Sequence, residues 1–323
     1  MNIGLTFNLQ TNPADERQAE FDPPATIEAL TRALETLGHA VIPLGGAEAL
    51  RRAPQQLREV ELVFNIAEGA EGRCREAQAP ILLDLFGVPY VGSDALALAV
   101  GLDKVMCKRI ARAEGIATPS WITVERPSDL PRTLPCTFPV IVKPRWEGSG
   151  RGIDAGAVVS GHASLEARAA WLFQRCPEPM LIEEFVPGGE LTVCVIGNEP
   201  PIAYPAIQRP LDPASRLSCH VVRPAPAHVI APLTLDEMLE VEAQHFALTM
   251  CRALGCRDVA RVDLRVDGHG RAQFLEINPL PSFDPEGSLG LLAESLGRTY
   301  ADLIGDVLSA ACARYGITQV ALR

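Results

Sequence analysis

Val259-Ala260-Arg261-Val262-Asp263-Leu264-Arg265-Val266-Asp267-Gly268-His269-Gly270-Arg271-Ala272-Gln273-Phe274-Leu275-Glu276-Ile277-Asn278 reads as two strands joined by a tight turn. A four-residue turn at 267–270 sets Val266 opposite Arg271, Asp263 opposite Phe274 and Arg261 opposite Glu276. Strand side chains alternate between faces, so Arg261, Asp263, Phe274, Glu276 and Asn278 share one face, while Val262, Leu264, Leu275 and Ile277 form the core face. One face thus gathers two carboxylates, an amide and a guanidinium. Oxygen donors of this kind suit Mg²⁺, which keeps several waters and shares a substrate phosphate. On a solvated hairpin the same acids would only form a surface ion pair with Arg261. The rigid Pro279-Leu280-Pro281-Ser282 directly after the second strand weighs toward the metal reading.

Two upstream stretches carry related signals. Pro139-Val140-Ile141-Val142-Lys143-Pro144 ends a buried strand on a lysine, and Arg145-Trp146-Glu147-Gly148-Ser149-Gly150-Arg151-Gly152 follows it. Glycines let backbone N–H groups approach phosphate closely. The loop is neither a Walker A sequence nor the GxGxxG fingerprint, and alone it is equally an ordinary hairpin turn. Leu181-Ile182-Glu183-Glu184-Phe185-Val186-Pro187-Gly188-Gly189-Glu190 ends a strand just before a Pro-Gly-Gly turn, leaving backbone groups for a purine edge and Glu190 for a ribose hydroxyl. Alone, it is equally an interdomain hinge.

The rest of the chain supplies the frame. Its 323 residues suggest two to three domains, and 47% hydrophobic with 21% charged residues is ordinary globular composition. The first hundred residues alternate strands (1–7, 40–44, 61–66, 88–91) with helices. Thr26 is expected to cap the first helix, which stops at Gly38, and the second (77–86) stops at Gly87. This order predicts a parallel sheet covered on both faces. Further helices are expected at 103–114, 165–174 and 234–254, and strands at 138–143, 180–184, 191–196 and 202–205. A net charge of −11 disfavours a nucleic-acid scaffold. The longest stretch without Asp, Glu, Lys or Arg is residues 1–14, too short for a membrane span, and no basic region precedes an apolar core. A cytoplasmic protein without membrane partners is expected. Nine scattered cysteines, with Cys251 and Cys256 too far apart for a CxxC site, read as reduced small hydrophobes.

In this order and span, the three motifs resemble the ATP-grasp superfamily, specifically the D-alanine–D-alanine ligase family. Gly87-Val88-Pro89-Tyr90-Val91-Gly92-Ser93 and Leu102-Asp103-Lys104 look like that family's junction before the nucleotide region, and the resemblance runs over 61–308. It implies an α/β fold: an N-terminal parallel-sheet, Rossmann-like pre-ATP-grasp domain (1–100), then two α+β ATP-grasp subdomains (101–185 and 186–323) clamping ATP. It implies that Lys104 and Lys143 contact phosphates, and that the loop 147–152, with Glu147, Ser149 and Gly150, closes over them, Ser149 near the reacting centre. Glu183, Glu184, Phe185 and Val186 would hold adenine through backbone groups, and Glu190 the ribose. Asp263, Glu276 and Asn278 would bind Mg²⁺ or Mn²⁺, and Arg261 would stabilise a tetrahedral oxyanion. The implied reaction joins an amino acid or short peptide to an amine through an acyl phosphate, in a homodimer. The alternatives are an ATP-grasp enzyme with another acceptor, ring closure included, or a nucleotide-binding protein without turnover.

The substrate half departs from the family. Glu68-Gly69-Ala70-Glu71-Gly72-Arg73-Cys74-Arg75-Glu76 stands in place of a His-Gly and Gly-Glu-Asp-Gly motif. The family's tyrosine- and lysine-bearing lid is replaced by the segment 208–217, with Arg209 and Arg216 and no aromatic residue. Arg216 is expected to contact phosphate, and Arg209 much less. The family's glutamate for the first substrate's ammonium corresponds here to Glu16, to Glu20 or to neither, and Ser282 and Ser288 are the candidate contacts for the second.

Overall fold

The structure is a computed structural model and describes residues 1–222 and 225–318; residues 319–323, the end of the third expected unit, lie outside the described residues. The first apolar runs form β1 (Asn2–Thr6), β2 (Ala40–Pro43), β3 (Leu62–Asn65) and β4 (Tyr90–Val91), all parallel, in the order β2-β1-β3-β4. Parallel strands need crossovers, and the helices that supply them cover the faces. On one face α2 (Ala47–Arg52) and α3 (Gln78–Phe86) bury Leu50 and Leu83 against Val63 and Tyr90. The other face packs on α1 (Pro24–Thr36) through Leu30 and Leu34. Pro23, not Thr26, is the N-cap of α1: Pro24 opens the helix, where a missing N–H costs nothing, and Thr26 is buried in the first turn. Gly87 ends α3 in the left-handed conformation at φ 67°, as its position after the apolar run predicts.

The next elements are α4 (Ala95–Gly101), α5 (Lys104–Ala113), β5 (Trp121–Val124), β6 (Val140–Pro144), β7 (Val158–Val159), α6 (His162–Arg175) and β8 (Met180–Glu184). Their strands form an antiparallel sheet in the order β5-β8-β6-β7, with Leu165, Ala169 and Leu172 of α6 in its core. The last sheet contains β9 (Glu190–Ile196), β10 (Ile202–Ala203), β11 (Ile207–Arg209), β12 (Val259–Val266) and β13 (Ala272–Asn278), in the order β10-β9-β12-β13 with β11 also on β9. Its core face is covered by α7 (Glu237–Leu254) and by Cys107 and Ala111 of α5. Asp236 caps α7 by accepting from Leu239 N at 2.8 Å, so the helix starts three residues later than its apolar pattern suggests. Then α8 (Ser288–Ser295) and α9 (Tyr300–Tyr315) return to the first sheet, where Leu303, Ile304 and Val307 join Ile3, Leu5 and Phe64 in one core. The fold is the expected one: a parallel α/β unit followed by two α+β units.

The decisive hairpin forms with the expected strands but a different register. Val266 pairs with Ala272, Leu264 with Phe274, Asp263 with Glu276 and Arg261 with Asn278. The register shifts between Asp263 and Leu264, so Leu275 is an extra residue on β13. The bulge inverts two side chains relative to strict alternation. Phe274 is fully buried in the core with Leu264 and Ile277, and Leu275 lines the cavity instead. The polar set Arg261, Asp263, Glu276 and Asn278 stays together because it lies on one side of the bulge.

Candidate active site

Two adjoining cavities meet above the polar face of β12 and β13. The first lies between the two antiparallel sheets and is lined by Lys143, Ser149, Gly150, Glu183, Glu184, Phe185, Val186 and Glu190. The second, about 590 Å³, opens toward the N-terminal unit and includes Lys104, Ser282 and Glu20. Ser149, Arg209, His220, Arg261, Glu276, Asn278 and Ser288 line both, so they stand at the seam.

The lysines are held by buried carboxylates. Lys143 Nζ lies 2.9 Å from Glu183 Oε1, and Lys108, a fully buried residue of α5, pairs with the other oxygen. Burial alone would raise Glu183, but Lys108 and Lys143 more than offset it and its pKa is lowered. Burial likewise works against Lys143, yet Glu183 and Glu276 hold its pKa up and keep it charged. Lys108 is pushed down to about 8 by burial, and it donates to Thr118 Oγ1 at 2.5 Å. Lys104 is the first residue of α5, whose N-cap Asp103 accepts from Val105 N and Met106 N and is gripped by Arg145 at 2.7 and 2.8 Å. That fixes Lys104 Nζ on the carbonyl of Glu147, 3.6 Å from Glu276.

The oxygen donors are equally constrained. Asp263 accepts from Arg261 at 2.8–3.1 Å, from Thr192 Oγ1 at 2.8 Å and from Asn278 Nδ2 at 3.1 Å. Glu276 is partly exposed to the cavity. Two carboxylates and an amide on one wall, with four cations nearby, fit a magnesium ion that takes few protein ligands and completes its shell with water and phosphate. Glu190 faces Arg265 at 3.4 Å, and its pKa is raised by burial, partly offset by that arginine.

Two loops close the seam. In the glycine-rich loop Ser149 has φ 47°, and Gly150 and Gly152 have φ 72°, a left-handed path favoured by glycine. A Cβ on Gly150 would come within 2.3 Å of Val221 Cγ1, so the loop packs directly on the segment after β11. Glu20 anchors the loop from the other side: it accepts Gly148 N at 2.6 Å while Arg75 grips its carboxylate at 2.6–2.9 Å. The segment after β11 is ordered by bridges from Leu211 to Ser218 and Ile230, with Leu211 and Leu217 buried. His220 comes from this segment, 2.7 Å from Ser218 Oγ, and burial followed by Arg209 and Arg261 pushes it down to about 4.

Most sequence-derived candidates converge on the two cavities. Three do not. Glu16 is exposed and faces Arg175 at 3.6 Å, whereas Glu20 lines the second cavity. Glu147 turns its side chain to Arg151, and only its carbonyl meets Lys104. Arg216 lines neither cavity: at φ 61° its side chain turns outward to the carbonyl of Pro187 at 3.0 Å, and Arg209 faces the seam. Sequence reading missed Lys108, Thr192, His220 and Arg265. Arg265 was legible, two positions beyond Asp263 on the same strand face; it donates to the carbonyls of Gly188 and Arg216 at 3.2 and 2.7 Å and tethers the hinge.

Comparison with known proteins gives a consistent picture. A family model described as D-ala D-ala ligase C-terminus matches residues 110–309. The D-alanine–D-alanine ligase of Synechococcus sp. (strain JA-3-3Ab) is 32% identical over 331 residues, covering 99% of this chain and 97% of that one. That of Aquifex aeolicus is 31% identical over 287 residues, covering 88% and 94%. The crystal structure of the Bacillus anthracis D-alanine–D-alanine ligase complexed with ATP superimposes with a TM-score of 0.76 at 22% identity, covering 99% of this chain and 100% of that one. With the lysine pair, the glycine-rich loop and the Asp-Glu-Asn wall meeting at one seam, these matches show that the chain belongs to the D-alanine–D-alanine ligase family of ATP-dependent, carbon–nitrogen bond-forming enzymes.

Proposed function

We propose that the protein joins the carboxylate of one amino acid to the amine of another amino acid or short peptide, consuming ATP. The observation that carries this reading is the seam itself, where Lys104, Lys143, Arg209 and Arg261 converge beside Asp263, Glu276 and Asn278. The nucleotide occupies the first cavity, adenine against the backbone of residues 183–186 and ribose near Glu190. Asp263, Glu276 and Asn278 would hold Mg²⁺, which supplies charge neutralisation on the phosphates.

A donor carboxylate oxygen attacks the γ-phosphorus, the bond to the β-bridging oxygen breaks, and ADP leaves. The acceptor ammonium gives one proton to water, the free amine attacks the acyl carbon, and the nitrogen releases a second proton to water as the amide forms. Arg261 faces the oxyanion, and the carbon–oxygen bond to phosphate breaks to release phosphate and the amide. The protein's work is positioning and charge neutralisation. Lys143, fixed by Glu183, and Lys104, fixed by α5, are preorganised for the phosphates. Arg209 supplies the positive charge over the γ-phosphate.

The reading carries three corollaries: units near 1–100, 101–185 and 186–323 move as clamp and base; the enzyme works in the cytoplasm, where ATP is; and it pairs as a homodimer. Phosphate release measured with ATP, Mg²⁺ and a panel of D- and L-amino acids tests it. ATP-dependent release that requires an amino acid is expected; none with any member of the panel refutes the reading.

A further inference from the structure

Four carboxylates of the N-terminal unit line the second cavity: Glu20, Asp22, Glu68 and Glu76. Glu20 is fully engaged by Arg75 and the glycine-rich loop. The other three side chains make no hydrogen bond or ion pair among the described residues, although Asp22 and Glu76 are each only 8% exposed. The nearby cations are committed elsewhere: Arg75 to Glu20 and the carbonyl of Trp146, and Lys104 to the carbonyl of Glu147 and to Glu276.

A carboxylate so far removed from water is unfavourable unless a cation or a proton joins it. Burial and neighbouring acids push Asp22 up to about 7 and Glu76 up to about 8, and drive Glu68 well above the ordinary carboxylate range. The cavity therefore carries both signs: Lys104, Arg209 and Arg261 line it together with these three carboxylates, and Arg75 and Lys104 only partly offset the burial of Glu76.

A simple α-amino acid brings a single ammonium to three carboxylates that have no hydrogen bond or ion pair among the described residues. We propose that the donor is a basic amino acid, its carboxylate at the seam and its second, side-chain cation held by Asp22, Glu68 and Glu76. The inference rests on the ligase reading and narrows its substrate class. A site built around unpaired carboxylates rejects an analogue lacking the matching group more strongly than an apolar pocket rejects a missing methylene.

Hydroxylamine tests the donor without knowledge of the acceptor, because its nitrogen attacks the acyl phosphate carbon, expels phosphate and leaves a stable hydroxamate. Hydroxamate and ADP are measured with ATP, Mg²⁺ and each of alanine, 2,3-diaminopropionate, ornithine, lysine and arginine, in both enantiomers. At least one dicationic donor should exceed alanine by tenfold or more in kcat/KM. Asp22→Asn, Glu68→Gln or Glu76→Gln, each shown folded by its thermal melt, should reduce that preference at least tenfold. Alanine performing as well as every dicationic donor overturns the inference and leaves the ligase reading standing. ADP release with no donor at all overturns the ligase reading, and the inference with it. A dicationic preference unchanged in every folded variant overturns the assignment of the second cation to this wall.

Discussion

Glu276 and Asp22 illustrate two opposite uses of a carboxylate. Glu276 sits at the seam, 3.6 Å from Lys104 and open to the cavity, so its charge is available to a metal. Glu276→Gln keeps the shape and removes the charge; turnover should fall on the order of a hundredfold or more, with the melting temperature nearly unchanged because the side chain is not in the core. Parent-like turnover at millimolar Mg²⁺ would exclude Glu276 as a ligand. Asp22 is buried without a side-chain partner and pushed up to about 7 from 3.8 by burial and then by Asp284. A carboxylate whose folded-state pKa lies above its unfolded value binds its proton more tightly when folded. Its contribution to stability is therefore most favourable below about pH 4, declines between 4 and 7, and is a full penalty above 7. Asp22→Asn should raise stability by an amount on the order of a few kcal/mol at pH 8 and by little at pH 4. Thermal melts at the two pH values check the sign; an equal gain at both would show that Asp22 is not titrating in the native state.

The glycine-rich loop and the segment after β11 act as a pair, since Gly150 has no room for a Cβ against Val221. Which arginine they present is decided by local backbone. Arg209 ends β11, pairs with Glu190 across the sheet and faces both cavities, whereas Arg216 takes φ 61° and turns to the Pro187 carbonyl. Arg209→Ala should lower kcat about tenfold or more through lost charge on the transferring phosphoryl group. Arg216→Ala, which loses one exposed contact, should cost roughly threefold at most. Steady-state rates at saturating ATP separate them, and a larger loss for Arg216→Ala would reverse the assignment. That Arg209 and not Arg216 lines the cavities marks the limit of what was legible. The strands β12 and β13, the loop after β6 and the Pro-Gly-Gly hinge were readable because alternation, glycine and proline are local signals. The bulge at Leu275 was not, because a one-residue irregularity leaves alternation intact on either side of it. Neither was the placing of Arg209 rather than Arg216 at the cavities, because the left-handed backbone at Arg216, φ 61°, falls on a residue type that gives no signal of it. Lys108 was hidden for a related reason: as a lysine on a helix it reads as solvated until β8 brings Glu183 against it.

Across the whole molecule, the chain's two ends build one core. Helix α9 packs on α1, and Asp258, at the start of the last hairpin, accepts from Gly92 N at 2.8 Å and from Arg314 at 2.6 Å. The α1 face of the N-terminal unit is thus covered by α8 and α9. The opposite face differs. Leu83 and Leu98 are buried, but Leu85 is 75% and Leu96 72% exposed, with Ile81 and Phe86 about half exposed beside them on the neighbouring helices α3 and α4. Grouped large apolar side chains are unusual on a monomer's surface and mark contact sites, and a twofold contact would pair this patch with its own copy. Burying these side chains would contribute roughly 1.5–3 kcal/mol each, ample to offset much of the entropy lost on pairing. Light scattering at micromolar concentration should therefore give twice the 34.7 kDa chain mass. Leu85→Glu with Leu96→Glu places like charges across the twofold and should return a mass near that of one chain with the melt still cooperative. A single-chain mass for the parent protein would exclude the pairing, and an unchanged dimer in the double variant would move the interface off α3 and α4.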